Sequence, residues 1–331
     1  MLPVALDVMG GDHAPGAPLD GAAAATRAGL PVLLVGPRDE LERREHGLPI
    51  LHAPQVVTMD DRATAPLRDK PESSVRRIME AVRDGKASAA VSCGHSGAVM
   101  ASAMHVLRKL PGVERPALVT QVPRADGGEA VILDLGANID CKPSTLACFA
   151  SLGSAYAEAM LGTRRPRVGL LSNGEERSKG NAQVRAALPL LDALDEIRFV
   201  GPTEPAAVLR GDVDVLVCDG FAGNVMLKTV EATAELVGSV LKRELQRHPL
   251  ESMGAVLLQR AFKRFRKRTQ ARNYGGALLV GVDGVVVVGH GRSDPVAVQS
   301  ALEVAVRCVD ADLTGRVREA LAPACAPEAS R

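Results

Sequence analysis

Aromatic residues are scarce in this sequence. Phe, Trp and Tyr together make up 2% of the 331 residues, and tryptophan is absent. Proteins that bind single-stranded nucleic acid stack the bases on aromatic side chains, so we expect no nucleic-acid partner. A core with so few aromatics must be built from Ala, Val, Leu and Ile, as in Val-rich parallel sheets covered by helices.

Signatures of metal binding and of membrane crossing are also missing. The six cysteines form no CxxC pair and lie at no metal-ligand spacing from histidines, so we predict no metal site. No window reaches the roughly 18 apolar residues that span a bilayer, and the first residues lack the basic and apolar regions of a secretory signal. We therefore expect a cytoplasmic protein.

Charge is balanced over the whole chain and concentrated only locally. With 40 basic and 39 acidic residues the net charge is +1, which provides no overall field to attract a polyanion. We predict one α/β domain over residues 1–321, a helical basic segment at 229–272 and a disordered Pro- and Ala-rich tail at 322–331. Within the basic segment no acidic residue interrupts the run that contains Lys263, Arg264, Lys267 and Arg268.

Short Val-rich runs alternate with Ala-rich amphipathic stretches, which is typical of βαβ units. The runs predict strands at 3–8, 32–35, 89–92, 117–121, 130–135, 167–171, 197–200, 213–218 and 285–289. Residues 123–128 are too few for a helical crossover, so the strands on either side should form a hairpin. The pattern predicts a three-layer α/β/α fold with a mostly parallel, mixed sheet.

Several predicted strands end in glycine-rich polar turns, at 9–13, 93–97, 136–138 and 219–224. Carboxyl ends of strands in an open α/β sheet meet at a ligand crevice, where glycines let backbone N–H groups approach an anion. Ordinary strand-to-helix turns are the alternative for any one of them. The candidates for the anion cradle are Gly10, Gly11, Asp12, Gly94, Ser96, Gly97, Gly220 and Gly223.

None of the common nucleotide or nucleophile motifs fits these turns. The first turn fails GxGxxG, no GxxxxGK[ST] occurs, and the surroundings of Ser96 lack the second glycine of GxSxG. A nucleophilic Ser96 is therefore disfavoured against a helix cap or an anion-binding donor.

The loop after the strand at 167–171 concentrates charge, amide and glycine. Lys179 lies beside Gly180 and Asn181, where it can face a phosphate while Asn181 donates to an oxyanion or caps the next helix. A solvated surface lysine is the alternative.

Five segments, taken in order, resemble the phosphate acyltransferases of the PlsX family. They are ALDVMGGDHAP at 5–15, LDLGANIDCKP at 133–143, KGN at 179–181, CDGFAGNV at 218–225 and YGG at 274–276. The likeness spans residues 4 to 310, with His95 standing where the family usually has Asn. It implies a fold similar to phosphate acetyltransferase and isocitrate dehydrogenase, a homodimer, and transfer of long acyl chains from acyl carrier protein to inorganic phosphate for phospholipid synthesis.

The resemblance also suggests roles for single residues. Phosphate is a competent nucleophile and a thioester has a good leaving group, so neither a cofactor nor a covalent serine is needed. We expect Lys179 to meet phosphate or developing charge, and Asn138, Asn181 and Asn224 to donate hydrogen bonds. His13 is the candidate to protonate the leaving thiolate, with a capping or core role as its alternative.

Two other classes stay open at this stage. A dehydrogenase on the related fold would bind NAD(P), and a scaffold for lipid-synthesis enzymes would bind the carrier protein without consuming thioester. The basic segment is expected to contact the acidic carrier protein, an anionic membrane at the inner face of the cell, or both, against the alternative of a solvated or dimer-interface helix.

Lys179→Ala should leave folding intact and lower phosphate-dependent turnover about 100-fold or more, the usual loss when one transition-state charge contact is removed. Steady-state kinetics with varied phosphate measure the effect. Turnover within about threefold of wild type, under about 1 kcal/mol, would place Lys179 outside the site.

Overall fold

The computed structural model describes residues 1–44, 46–245, 247, 258, 260 and 276–321. The basic residues Lys263, Arg264, Lys267 and Arg268 and the tail 322–331 lie outside the described residues. So do Tyr274 and Gly275 of the last family motif.

Within the described residues, eleven strands form one continuous sheet in the order β3-β2-β1-β4-β11-β10-β5-β6-β9-β7-β8. In chain order they are β1 Val4–Asp7, β2 Val32–Gly36, β3 Ile50–His52, β4 Ala89–Ser92, β5 Ala117–Pro123, β6 Glu129–Leu133, β7 Arg167–Leu171, β8 Arg198–Thr203, β9 Val215–Val217, β10 Ala277–Val280 and β11 Val285–Val288.

Helices cover both faces of this sheet. They are α1 Gly16–Arg27, α2 Arg38–Glu42, α3 Ala65–Arg68, α4 Ser74–Arg83, α5 Ser96–Val106, α6 Pro143–Leu161, α7 Ala182–Asp192, α8 Pro205–Arg210, α9 Gly220–Leu245, α10 Pro295–Asp310 and α11 Leu313–Ala320. The three-layer α/β/α architecture predicted from the alternation of strands and helices is therefore confirmed.

Two hydrophobic cores lie on opposite faces of the sheet. Successive strand residues point to opposite faces, so Leu6 of β1 enters the core beneath α1, α6, α7, α10 and α11, while its neighbour Ala5 enters the core beneath α4, α5, α8 and α9. Because both faces are buried, β11 is an unbroken run of four valines rather than an alternating strand. Phe149 of α6 is the largest fully buried side chain and lies in the first core.

The sheet consists of two parallel blocks that run in opposite directions. Strands β1, β2, β3, β4 and β11 are parallel to one another, and β6, β7, β8 and β9 form a second parallel block. Between the blocks lie three antiparallel pairings, β11 with β10, β10 with β5, and β5 with β6. An odd number of antiparallel steps reverses the chain direction, so the two blocks end at opposite edges of the sheet.

The sequence predicted most of these strands but not all. The hairpin across residues 123–128 is confirmed as the antiparallel pair β5 and β6. Two short strands, β3 and β10, were not predicted, and β8 begins at Arg198 and continues to Thr203, beyond the predicted end at residue 200. Over the described part of the chain, no helix is both long and apolar enough to cross a membrane.

Candidate active site

The glycine turns fall into two groups, one at each edge of the sheet. The expectation that all four meet at one edge is wrong, because the parallel blocks run in opposite directions. We call residues 8–13, 93–97 and 289–293, which follow β1, β4 and β11, the first loop cluster. Residues 134–138 and 218–224, which follow β6 and β9, are the second loop cluster.

Backbones in the first loop cluster approach so closely that only glycine fits. A Cβ on Gly10 would lie 2.7 Å from the Gly94 nitrogen and 2.8 Å from an Asp7 carboxylate oxygen. Gly11 has a positive φ of 105°, and the next nitrogen, that of Asp12, donates to the Gly291 carbonyl at 2.7 Å. These contacts bring three turns from distant parts of the sequence into one surface.

Asp7 links the turn at 8–13 to the turn at 93–97 through hydrogen bonds. Its buried carboxylate accepts from Ser92 Oγ at 2.7 Å and from the Met9 nitrogen at 3.1 Å, and Ser92 Oγ in turn accepts from the Gly94 nitrogen at 3.1 Å. Burial raises the pKa of Asp7, although hydrogen bonds from Ser74 and Ser92 and from the Met9 and Gly10 backbone oppose the rise. Asp7 is thus a loop-orienting residue.

His95, in the turn at 93–97, caps the helix that follows this turn. Its Nδ1 accepts from the Ala98 nitrogen at 3.3 Å, which caps the N-terminus of α5. Nδ1 of histidine and Oδ1 of asparagine are both acceptors at the same distance along the side chain, so an Asn at this position could make the same cap. Ser96 is exposed at the first position of α5, and His13 is exposed in the neighbouring turn.

The third turn of the first loop cluster, Gly289 to Ser293, was missed by sequence reasoning. The Gly289 nitrogen donates to the Ser92 carbonyl at 2.9 Å, and Ser293 Oγ donates to the His290 carbonyl at 2.6 Å. The sequence does contain a pattern that indicates this turn, because Gly-His-Gly ends a predicted Val-rich strand. This turn adds His290 and the exposed Arg292 to the site.

Asp134 organises the second loop cluster as Asp7 organises the first. Its carboxylate has no exposed area and accepts from four backbone nitrogens, those of residues 118, 135, 137 and 138, and from the Asn138 amide, at 2.6–3.1 Å. Burial raises the pKa of Asp134 against these hydrogen bonds.

Asn138 and Gly223 have structural tasks in this cluster. Asn138 Nδ2 donates to the Pro116 carbonyl at 2.8 Å and to Asp134 at 2.9 Å, which uses both amide hydrogens that we expected to serve a substrate. A Cβ on Gly223 would lie 2.0 Å from the Asp134 carbonyl oxygen. Asn224 is half-buried above Gly136 and makes no hydrogen bond to the described residues through its side chain, so its amide is available to a ligand.

The Lys179 loop lies at the same edge as the second loop cluster, one strand further along the sheet. Lys179 is exposed and forms no ion pair with any described residue. Asn181 caps α7, because its Oδ1 accepts from the Val184 nitrogen at 2.8 Å. Of the two roles expected for Asn181, the structure shows the cap.

Thiol nucleophiles are disfavoured in both clusters. Burial raises the pKa of Cys93 in the first cluster to about 11 and raises that of Cys218 in the second well above its ordinary value, so both thiols are protonated at neutral pH. Among the residues that the structure describes, no group of three or more His, Cys, Asp or Glu side chains is arranged to hold a metal ion.

Comparison with known proteins gives matches over nearly the whole chain. The family model "Fatty acid synthesis protein" matches residues 2–316. A phosphate acyltransferase of Anaeromyxobacter sp. (strain Fw109-5) is 48% identical over 97% of this chain and 91% of its own length. A phosphate acyltransferase of Thermus thermophilus is 46% identical over 96% of this chain and 98% of its own length.

The fold has solved relatives at low sequence identity. The crystal structure of a phosphotransacetylase from Streptococcus pyogenes superposes with a TM-score of 0.61 at 17% identity, covering 93% of this chain and 94% of that one. EutD phosphotransacetylase from Staphylococcus aureus gives 0.59 at 16% identity, covering 93% and 94%. These likenesses show a shared fold.

The packing of Gly223 against Asp134 generates a prediction. Gly223→Ala should lower the free energy of unfolding by about 1–3 kcal/mol or more, because the clash is with backbone that cannot move aside. Gly238→Ala in the same helix is the matched control. It meets nothing within 4 Å, and alanine should stabilise the helix by about 0.5–1 kcal/mol. Urea denaturation followed by circular dichroism measures both, and equal effects of the two substitutions would contradict this account.

Proposed function

Because the chain belongs to the fatty acid synthesis protein family, which it matches over residues 2–316, we propose that it is a phosphate acyltransferase that moves a fatty acyl group onto inorganic phosphate for phospholipid synthesis. The acyl donor in this proposal is the thioester of an acyl carrier protein. The product is an acyl phosphate.

One observation carries the proposal. The three turns of the first loop cluster lie close together, and hydrogen-bond donors are exposed on them. The exposed Ser96 hydroxyl stands at the N-terminus of α5, where unpaired N–H groups and the helix dipole favour an anion. His13, His290 and Arg292 are exposed in the adjoining turns, and the carboxylate of Asp7 is buried and accepts hydrogen bonds from Ser92 and Met9. Such a surface suits a phosphate dianion.

The second loop cluster and the Lys179 loop form the opposite wall of one crevice in this proposal. Neighbouring strands rotate by about 20–25°, so the four steps from β4 to β6 turn the sheet through about 90°. The ends of two oppositely directed blocks then face a common space rather than pointing away from each other. Lys179 and Asn224 would approach the substrates from this second wall.

Helix α9 supports the idea of a shared crevice. It begins at Gly220 in the second loop cluster, and eleven residues later Glu231 is close enough to the first loop cluster for the field of His290 to oppose the rise in its pKa that burial causes. Eleven helical residues span about 16 Å. That length separates the two clusters and leaves room for an extended thioester arm.

The reaction needs only positioning and charge stabilisation from these groups. A phosphate oxygen attacks the thioester carbonyl carbon, the new C–O bond forms, and the C–S bond breaks. The carbonyl oxygen carries negative charge in the tetrahedral intermediate, which fixed N–H and O–H donors stabilise. The proton of hydrogen phosphate ends on the departing thiol, so no other reactant is consumed.

The test of the function is direct. Purified protein is incubated with long-chain acyl-acyl carrier protein and phosphate, and acyl phosphate is trapped with hydroxylamine as a hydroxamate. Thioester loss and hydroxamate formation should both require phosphate. Thioester loss that is independent of phosphate, or carrier-protein binding without turnover, would overturn the proposal.

Direct attack by phosphate generates a further prediction. No acyl-enzyme should accumulate, because Cys93 is buried and protonated and Ser96 has no adjacent general base arranged as in a nucleophile elbow. Mass spectrometry of enzyme quenched during turnover should show only the unmodified chain, and Ser96→Ala should keep substantial activity. An acyl adduct on Ser96 or Cys93 would show two-step transfer instead.

A homodimer is proposed from the exposed face of α9. Only Gly220, Gly223 and Met226 of this helix are buried, and the later turns project with exposed apolar side chains at Leu236, Val237, Val240 and Leu241. A second copy of the same helix would cover such a face symmetrically. The double variant Leu236→Glu with Val240→Glu should then be monomeric by light scattering, whereas Val296→Glu, at an exposed valine of α10, should not change the mass. A wild-type monomer would contradict the proposal.

The basic segment at 229–272, whose first part lies in α9, is proposed to bind an anionic membrane surface. Basic residues near such a surface contribute about 1 kcal/mol each, and salt screens the attraction over about 8 Å at physiological ionic strength. Wild type should co-sediment with anionic liposomes at low salt, and replacing Lys263, Arg264, Lys267 and Arg268 by Glu should abolish this.

Neutral liposomes are the control for that experiment. Equal binding to neutral and anionic liposomes, or continued binding of the variant, would overturn the membrane assignment. A raised KM for acyl carrier protein with unchanged liposome binding would assign the segment to the carrier protein.

A further inference from the structure

His290 is held in one orientation by its own turn. It follows β11, the strand that lies between β4 and β10 in the sheet. Its ring Nδ1 accepts from the Arg292 nitrogen at 3.1 Å, and its carbonyl accepts from the Ser293 nitrogen at 2.9 Å and from Ser293 Oγ at 2.6 Å. These hydrogen bonds fix both the backbone and one edge of the imidazole.

The bond at Nδ1 decides where the ring proton lies. A ring nitrogen that accepts a hydrogen bond carries no hydrogen, so the neutral imidazole of His290 has its proton on Nε2. The side chain is exposed, and Nε2 has no hydrogen-bond partner among the described residues. Glu231 of α9 is near enough for His290 to affect its pKa, but no hydrogen bond joins the two side chains, so the oriented N–H donor is open to a ligand.

Hydrogen bonds on both sides of His290 place its turn within the first loop cluster. Gly291, the next residue, accepts from the Asp12 nitrogen at 2.7 Å, and Gly289, the preceding one, donates to the Ser92 carbonyl. The turn is thus tied on one side to the loop after β1 and on the other to β4. His95 in the adjoining turn uses its Nδ1 in the same way, toward Ala98.

We propose that His290 is a further catalytic residue, whose Nε2–H donates a hydrogen bond to the phosphate as it attacks the thioester. The inference rests on the proposed function and names one of the groups that bind its nucleophile. Hydrogen bonds to charged groups are stronger than those between neutral groups, so loss of this donor should lower kcat/KM for phosphate about 10- to 100-fold.

Two substitutions separate the donor from the structural acceptor. His290→Asn places Oδ1 where Nδ1 accepts from Arg292, so it keeps the turn but has no donor at the Nε2 position. His290→Gln places its amide nitrogen near the Nε2 position and loses the acceptor. We expect His290→Asn to show the full loss in kcat/KM for phosphate with an unchanged KM for the acyl donor, and His290→Gln to keep more activity than Asn.

Nuclear magnetic resonance provides a readout that does not depend on turnover. In protein with ¹⁵N-labelled histidine, the His290 ring should give the pattern of the Nε2–H tautomer, and its Nε2 signal should shift when inorganic phosphate is added. His105, exposed near the end of α5, serves as the internal reference and should not shift.

The outcomes distinguish this inference from the proposed function. If wild type forms no acyl phosphate, the proposed function fails. If wild type forms acyl phosphate and His290→Asn is equally active, only the role of His290 fails. The same holds if the Nε2 signal does not shift when phosphate is added. Loss of stability in His290→Asn, with equal loss of kcat/KM for both substrates, would assign the residue a purely structural role and also overturn the inference.

Discussion

A carboxylate buried in a protein interior costs several kcal/mol unless hydrogen bonds replace the water that it loses. Both loop clusters are organised by this requirement. Asp7 at the end of β1 and Asp134 just after β6 are buried, and the chain beyond each strand folds back so that its backbone N–H groups reach the carboxylate. The glycines at positions 10 and 223 follow from the same constraint, because the folded turns leave no space for a Cβ.

The two clusters can share one crevice only because of the strands between them. Strands β10 and β5 separate the parallel blocks, and the three antiparallel pairings that they make reverse the chain direction. In a flat sheet this reversal would place the clusters on opposite sides of the molecule. In the proposed site, twist accumulated over the intervening strands would turn both clusters toward the same space, along the length of α9. The proposed site is therefore a property of the whole sheet, and no single motif contains it.

This explains how much could be predicted from the sequence. Val-rich runs buried on both faces have a clear pattern, so most strands, the β5–β6 hairpin and the three layers were predicted. Strand β10 has four residues and follows two glycines, and it went unpredicted. Strand β10 takes part in two of the three antiparallel pairings. Without it, the opposite directions of the two parallel blocks could not be predicted, so the turns were expected at one edge. Sequence alone also could not show that both amide hydrogens of Asn138 are used inside the protein, since one of them bonds to Pro116, the residue before β5.

The two clusters differ in what they leave available to a ligand. In the second, the nearby backbone N–H groups and the Asn138 amide donate to Asp134. The side chains of Asn224 and, in the adjacent loop, Lys179 remain available. In the first, His95 and His290 each accept a backbone N–H at Nδ1, and neither Nε2 has a hydrogen-bond partner among the described residues. An asparagine in the same position would satisfy the backbone equally well but would present no second donor in that direction. Histidine at positions 95 and 290 thus lets the turns meet their own hydrogen-bonding needs and still offer donors to an anion, which is the physical condition for a preorganised site.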